Sequence, residues 1–82
     1  MKQFIYTEDY NIINVDCIRY IFIDVLSDEC YTITARTTED GYCTKEIQKF
    51  SSAKMARDAM DIIMMALAQG QSYSVRKVRE DD

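Results

Sequence analysis

The stretch from Ser51 to Gly70 constrains the fold more than any other, because it alone combines unbroken helical periodicity with signals for both helix ends. It reads SSAKMARDAMDIIMMALAQG. Ser51 is the predicted N-cap, and Phe50 and Met55 form the predicted hydrophobic staple around it. Gly70 stands where a left-handed C-terminal cap is expected. The sequence therefore predicts one long α-helix here.

This predicted helix carries more apolar surface than one thin sheet can cover. At about 100° per residue, one arc of roughly 200° is apolar. It holds Ala53, Met55, Ala56, Ala59, Met60, Ile62, Ile63, Met64, Ala66 and Leu67, while Met65 falls among the polar positions. The flexible thioether of methionine suits a core or an adaptable contact surface, and core packing or self-association is favoured over recognition of a foreign helix. The predicted interface residues are Met55, Met60, Ile62, Met64 and Met65.

The rest of the chain has the pattern of short strands separated by polar turns. Predicted strands lie at 2–6, 10–14, 18–26, 30–38 and 42–50, and a weaker one at 71–78. In strand 18–26 we expect Ile18, Tyr20, Phe22 and Leu26 on one face and Ile21, Ile23 and Val25 on the other, so both faces need cover. Asp40-Gly41 is a hairpin signal.

The predicted fold class is α+β. We expect an antiparallel meander of four or five strands followed by one long helix, with a C-terminal edge strand as an open alternative. Residues 1–79 are predicted to form one domain, and the acidic residues 80–82 are predicted to fray. A chain of 82 residues buries only a modest core, and oligomerisation is a common way of adding to it.

Charge and hydropathy exclude several classes of partner. Fourteen acidic residues outnumber ten scattered basic ones, so unspecific nucleic-acid binding is not expected. No segment reaches the roughly 20 apolar residues that span a bilayer, and the N-terminal residues lack the apolar core of a signal peptide. We therefore predict a cytoplasmic protein without a membrane partner.

The residue types also limit the chemistry. The chain has no histidine and two glycines, which removes most acid–base dyads and glycine-rich phosphate loops. Cys17, Cys30 and Cys43 form no Cys-x-x-Cys pair, so we predict reduced thiols and no metal site. No catalytic residue and no cofactor are predicted.

Carboxylates and arginines leave two alternatives open. The pairs Glu8-Asp9, Asp28-Glu29 and Glu39-Asp40 lie in predicted turns, where acidic residues are common. Asp24 interrupts the most apolar strand and is the best candidate if the protein is a carboxylate enzyme that uses a metal. Arg57, Arg76 and Lys77 are candidate ligands for an anion, against the reading that they form a solvated face.

Two motifs carry a resemblance to known proteins. They are Ile13-Asn14-Val15-Asp16-Cys17-Ile18 and Phe50-Ser51-Ser52-Ala53-Lys54-Met55-Ala56. With them the chain resembles small uncharacterised proteins of Firmicutes and their phages, in which a β-meander precedes one long helix. More remotely, it is similar to phage anti-defence proteins, among them the Thoeris anti-defence sponges, which sequester cyclic nucleotide signals, and anti-CRISPR proteins. The resemblance implies a fold and a mobile-element setting, and it assigns no site residue.

Together these features predict a non-catalytic, homo-oligomeric binding protein that acts by occupying a partner, and the resemblance implies a phage or prophage origin. The predicted partners are further copies of the chain, with a host protein or a nucleotide ligand as additional candidates. The alternatives are a sponge for a phosphate-bearing nucleotide signal, the carboxylate enzyme, and a structural component of a larger assembly.

Overall fold

The computed structural model describes residues 2–38 and 43–75 and has an α+β fold of two small sheets and one long helix. The strands are β1 (Phe4–Tyr6), β2 (Ile12–Asn14), β3 (Ile18–Ser27), β4 (Cys30–Thr37), β5 (Cys43–Phe50) and β6 (Tyr73–Ser74). Helix α1 spans Ala53–Ala68, and a 3₁₀ turn at Val15–Cys17 joins β2 to β3. The predicted hairpin turn at 39–41 and the tail at 80–82 lie outside the described residues.

The strands divide between two three-stranded sheets. The larger sheet has the order β3-β4-β5 and is antiparallel throughout. The smaller sheet has the order β2-β1-β6, in which β1 pairs antiparallel with β2 and parallel with β6. The α+β class, the long helix and the C-terminal edge strand are confirmed. β6 is the third strand of the smaller sheet, so consecutive strands of the meander alone do not account for that sheet.

The core lies between α1 and the inner faces of both sheets. Its buried members are Ile5, Ile13, Ile33, Ala35, Ile47, Ala59 and Ile63. Ile5 is opposite Ile13 on β2 and opposite Tyr73 on β6, so the smaller sheet presents one apolar row to the helix. Burying an isoleucine side chain stabilises the fold by about 1.5–3 kcal/mol. The five buried isoleucines therefore supply much of the stability of this small domain.

A bulge in β3 moves Ile18 to a different face from the one predicted from the sequence. The register shifts between Ile18 and Tyr20, because Ile18 pairs with Thr37 and Tyr20 with the next residue, Arg36. An extra residue in one strand moves the side chains before it to the other face. Ile18 therefore packs against the core cluster, whereas the sequence prediction put it on the face of Tyr20 and Phe22.

The start of α1 differs from the prediction by one residue. Ser52, not Ser51, is the N-cap: its backbone is extended, and its Oγ accepts a 3.2 Å hydrogen bond from the Met55 amide. With the cap moved, the predicted staple of Phe50 with Met55 is wrong. Phe50 packs against the core at the end of β5, opposite Tyr31, whereas Met55 is exposed.

The end of α1 agrees with the prediction. Gly70 has a φ of 77° and follows the C-cap Gln69. The Gly70 amide donates to the Leu67 carbonyl, and the Gln71 amide donates to the Ala66 carbonyl. This pair of bonds is the Schellman motif, which satisfies carbonyls that the helix leaves unpaired.

Replacing Ser52 by alanine should lower the free energy of unfolding by about 1 kcal/mol, because the Met55 amide loses its acceptor. Urea denaturation followed by circular dichroism measures the change. Ser51→Ala is the matched control and should have little effect. A larger loss for Ser51→Ala than for Ser52→Ala would contradict this assignment of the cap.

Candidate functional site

The apolar arc of α1 divides into a buried stripe and an exposed ridge. Ala56, Ala59 and Ile63 are buried. Met55, Ile62 and Met65 are 51%, 57% and 61% exposed, and they lie within about 80° of one another around the helix axis. We call these three residues the α1 ridge. The ridge stands beside the buried stripe, so the fold leaves it open to another molecule.

The other two predicted interface residues lie elsewhere on the helix. Met60 is half-buried and packs against the core, which uses much of its surface within the subunit. Met64 is 61% exposed but lies on the other flank of the buried stripe, away from the ridge. Of the five predicted interface residues, the structure therefore brings together Met55, Ile62 and Met65.

Charge on the ridge side of α1 is partly balanced within the helix. Asp58 lies one turn from Met55 and from Ile62, and its Oδ2 is 2.8 Å from the Nζ of Lys54. Both side chains are exposed and spaced i, i+4, the arrangement in which opposite charges on a helix meet. The ridge is therefore an apolar strip that the ion-paired Asp58 interrupts between Met55 and Ile62.

A second surface feature is an open hollow of about 270 Å³ on the outer face of the smaller sheet. Its lining residues are Tyr6, Thr7, Tyr10, Asn11, Ile12 and Ser74. Tyr6 is opposite Ile12 on β2 and opposite Ser74 on β6, so these three side chains form one row across the three strands. Two aromatic rings and one isoleucine give the hollow a largely apolar character.

The loop beside this hollow holds a strained residue. Tyr10 has a φ of 68°, which is uncommon for a bulky side chain and costs on the order of 1–3 kcal/mol. Hydrogen bonds across the loop hold it there: the Thr7 amide donates to the Asn11 carbonyl, and the Asn11 amide donates to the Thr7 Oγ1. Such strain is concentrated at functional positions. The hollow is therefore a candidate ligand site.

The described carboxylates form no cluster of three or more with one another or with the cysteines that could hold a metal ion. Asp24 is exposed on the outer face of β3, opposite Thr32. Glu8 Oε1 accepts a hydrogen bond from the Lys49 amide, which fixes it to the edge of β5. Within residues 2–38 and 43–75, no group of three or more side chains could hold a metal ion. Asp24 therefore has no carboxylate cluster around it in the described fold.

Of the predicted anion ligands, the structure describes one. Arg57 is exposed on α1. Arg76 and Lys77 lie outside the described residues, so their convergence with Arg57 stays a prediction. Cys17, Cys30 and Cys43 are half-buried, and no disulfide joins them.

The position of Tyr73 in the fold affects its titration. Burial raises the pKa of the Tyr73 phenol above its ordinary value, because the charged form would be poorly solvated there. Tyr73 lies on β6 and packs against the core. The half-buried, neutral Tyr73 phenol stabilises the fold at neutral pH. This stabilisation declines as the pH rises above the pKa of an unfolded tyrosine, because the folded state resists ionisation of the phenol.

Two features were missed by the sequence reasoning. The hollow depends on pairing β6 with β1, and no local pattern indicates that pairing. The only sequence signal for the positive φ of Tyr10 is weak: the residue lies between a polar turn and a strand.

In the described part of the chain, no helix is both long and apolar enough to cross a membrane. Searches against protein-family models, curated proteins and solved structures find no significant match.

Proposed function

We propose that this chain is a non-catalytic binding protein that works as a homo-oligomer and acts by occupying a partner. The observation that supports the proposal is the α1 ridge, where Met55, Ile62 and Met65 are each more than half exposed. Exposed apolar residues that share one face of a helix commonly mark sites of association. The resemblance to phage anti-defence proteins supports a phage or prophage origin as part of this proposal.

The ridge suits contact with the same ridge of a second copy. From Met55 to Met65 it runs about 15 Å along the helix, the length of roughly three turns. Two helices packed side by side bury such a strip at an interaxial distance of about 8–10 Å. Because each of these side chains is only about half exposed in the subunit, covering it contributes about half of the 1.5–3 kcal/mol of full burial, before the cost of association. A second copy matches the strip in length and character.

The hollow beside Tyr10 supports the capacity to bind a ligand as well as a protein. Tyrosine rings favour flat, apolar groups and leave their hydroxyls available for hydrogen bonds. Its lining residues carry no charge, so it offers no support for a phosphate-bearing ligand. The nucleotide sponge therefore depends on Arg57, Arg76 and Lys77 and stays an alternative to be tested by calorimetry against cyclic dinucleotides.

The self-contact is tested by replacing Ile62 with lysine. A charge at the centre of the ridge should weaken association by at least tenfold, because the ammonium group loses hydration when the helices pack. Light scattering across a concentration series measures the mass. Met64→Lys is the matched control, since it makes the same kind of change at an equally exposed position away from the ridge. A wild-type monomer at tens of micromolar would contradict the proposal.

A further inference from the structure

The outer edge of β3 is open within the described residues. β3 is an edge strand of the larger sheet, and no strand in residues 2–38 or 43–75 pairs with its outer side. It is ten residues long, whereas β1, β2 and β6 have three residues or fewer. Tyr20, Val25 and Leu26 are large apolar residues exposed along it. A long edge strand of this kind presents unpaired backbone groups that can hydrogen-bond to another strand.

Two exposed residues of opposite charge lie along this edge, one on each side of Phe22. Arg19 is the extra residue at the bulge and is exposed. Phe22 stands three residues later, and Asp24 follows as an exposed carboxylate. The rings of Tyr20 and Phe22 are 5.7 Å apart. The outer face thus carries a cation on one side of Phe22 and an anion on the other.

A two-fold axis limits how two β3 edges can pair. In an antiparallel pair that continues the sheet, opposing residues lie on the same face. Ile21 and Ile23 are opposite core residues of β4, whereas Phe22 and Asp24 are opposite the outer-face threonines. Between the register shifts at Arg19 and Leu26, each residue must therefore meet a residue that lies on the same face, an even number of positions away, and the axis must pass through a residue.

The charges select one register among those that the faces allow. With the axis at Phe22, Asp24 is opposite Tyr20 of the second copy and next to that copy's Arg19. Ile21 is then opposite Ile23 on the inner face. An axis at Ile21 would place Asp24 opposite Ile18, and an axis at Ile23 would place it opposite Phe22. An axis at Ile21 also leaves Asp24 one residue from Arg19, but it sets Asp24 opposite Ile18, which the bulge turns to the inner face. The axis at Phe22 brings the opposite charges together while residues 20–24 meet residues of their own face.

We infer that β3 pairs antiparallel with β3 of a second copy about a two-fold axis at Phe22, which gives one continuous six-stranded sheet. This inference rests on the proposed function, because it names a self-association surface of the oligomer. Backbone hydrogen bonds and apolar contacts hold the two strands together. Exposed ion pairs add little affinity by themselves, so Arg19 and Asp24 act mainly on register.

The β3 edge and the α1 ridge are different surfaces, so one subunit carries two self-contacts. Two such contacts close into a tetramer when their two-fold axes are perpendicular. We therefore expect a four-subunit mass for the wild type and a two-subunit mass for Ile62→Lys, in which β3 still holds the pair. Adding Asp24→Arg to Ile62→Lys should shift the equilibrium toward monomers, because it raises the dissociation constant of the β3 contact.

The register is tested by charge reversal in the Ile62→Lys background. Arg19→Asp and Asp24→Arg each bring like charges together at two symmetric places and should raise the dissociation constant about tenfold. The double variant restores opposite charges and should restore the dissociation constant. Asp61→Arg on α1 is the control for the change in net charge, and circular dichroism checks the fold of every variant.

A disulfide gives an independent measure of the axis. In a chain with Cys17, Cys30 and Cys43 replaced by alanine, Phe22→Cys should form a crosslinked dimer on oxidation. Opposing Cα atoms in an antiparallel pair lie about 4.5–5.5 Å apart, within the range of a disulfide. Tyr20→Cys is the control, because the two copies of residue 20 would lie about 13 Å apart along the strand.

The outcomes separate this inference from the proposed function. If Ile62→Lys alone is monomeric, or if the double charge reversal fails to restore association, the β3 contact is wrong and the ridge contact stands. If Tyr20→Cys crosslinks as readily as Phe22→Cys, the register is wrong. If Ile62→Lys keeps the wild-type mass and Asp24→Arg abolishes it, β3 is the contact and the ridge is not. A monomeric wild type overturns both.

Discussion

Replacing Ile63 by alanine should lower the free energy of unfolding by about 3 kcal/mol, which is the largest loss expected from one substitution in this chain. Ile63 is fully buried on the stripe of α1 that faces both sheets. Truncation removes apolar contacts and leaves a cavity that close-packed neighbours fill only in part. Because small domains are stable by only about 5–15 kcal/mol, a large share of the stability would be lost.

The neighbouring residue provides the control for this prediction. Ile62 is the same amino acid on the same helix but is 57% exposed. Ile62→Ala should change the free energy of unfolding by less than about 0.5 kcal/mol, measured on the monomer at low concentration. Urea denaturation of both variants gives the comparison. Equal losses for the two variants would mean that α1 packs on the sheets through a different face.

Replacing Thr32 by valine should stabilise the protein by about 1 kcal/mol, the largest gain we expect. Thr32 is 1% exposed, and its Oγ1 is buried without a hydrogen-bond partner among the described residues. A buried hydroxyl that makes no hydrogen bond costs free energy, because it leaves water without compensation. Valine keeps the branched shape and suits the central strand of a sheet. Thermal and urea denaturation both measure the gain.

A second threonine on the same strand should respond in the opposite direction. Thr37 is also buried, but its Oγ1 donates a 3.2 Å hydrogen bond to the Cys43 carbonyl. Thr37→Val should therefore lower the free energy of unfolding by about 1 kcal/mol. If Thr32→Val were destabilising as well, the Thr32 hydroxyl would have a partner in solution.

The parts of the fold that depend on local sequence were predictable. The strand positions, the helix and its Gly70 cap follow from periodicity and from residues with strong local preferences. The N-cap was less certain because Ser51 and Ser52 can both serve. Tertiary packing favours Ser52. Phe50 pairs with Tyr31 and packs against the core, so β5 continues to Phe50 and the helix begins later.

The parts that depend on long-range pairing were not predictable. β6 joins β1 over a separation of about 68 residues, and no local pattern specifies that neighbour. The bulge at Arg19 likewise changes which face Ile18 occupies, although the alternating pattern of β3 continues through it. The sequence predicted that α1 carries excess apolar surface. It did not predict which part is the buried stripe and which the ridge, because that depends on where the two sheets lie.

The parallel pairing of β1 with β6 has a consequence for biosynthesis. Gln3 Nε2 donates to the Leu67 and Gln71 carbonyls, and the Phe4 amide donates to the Ser72 Oγ. The start of β1 is therefore held by residues that are synthesised much later. A ribosome that adds about 5–20 residues per second needs on the order of several seconds to supply that partner. The nascent chain therefore completes the larger sheet first, and the burial of Ile5 is complete only after Tyr73 and Ser74 have been synthesised.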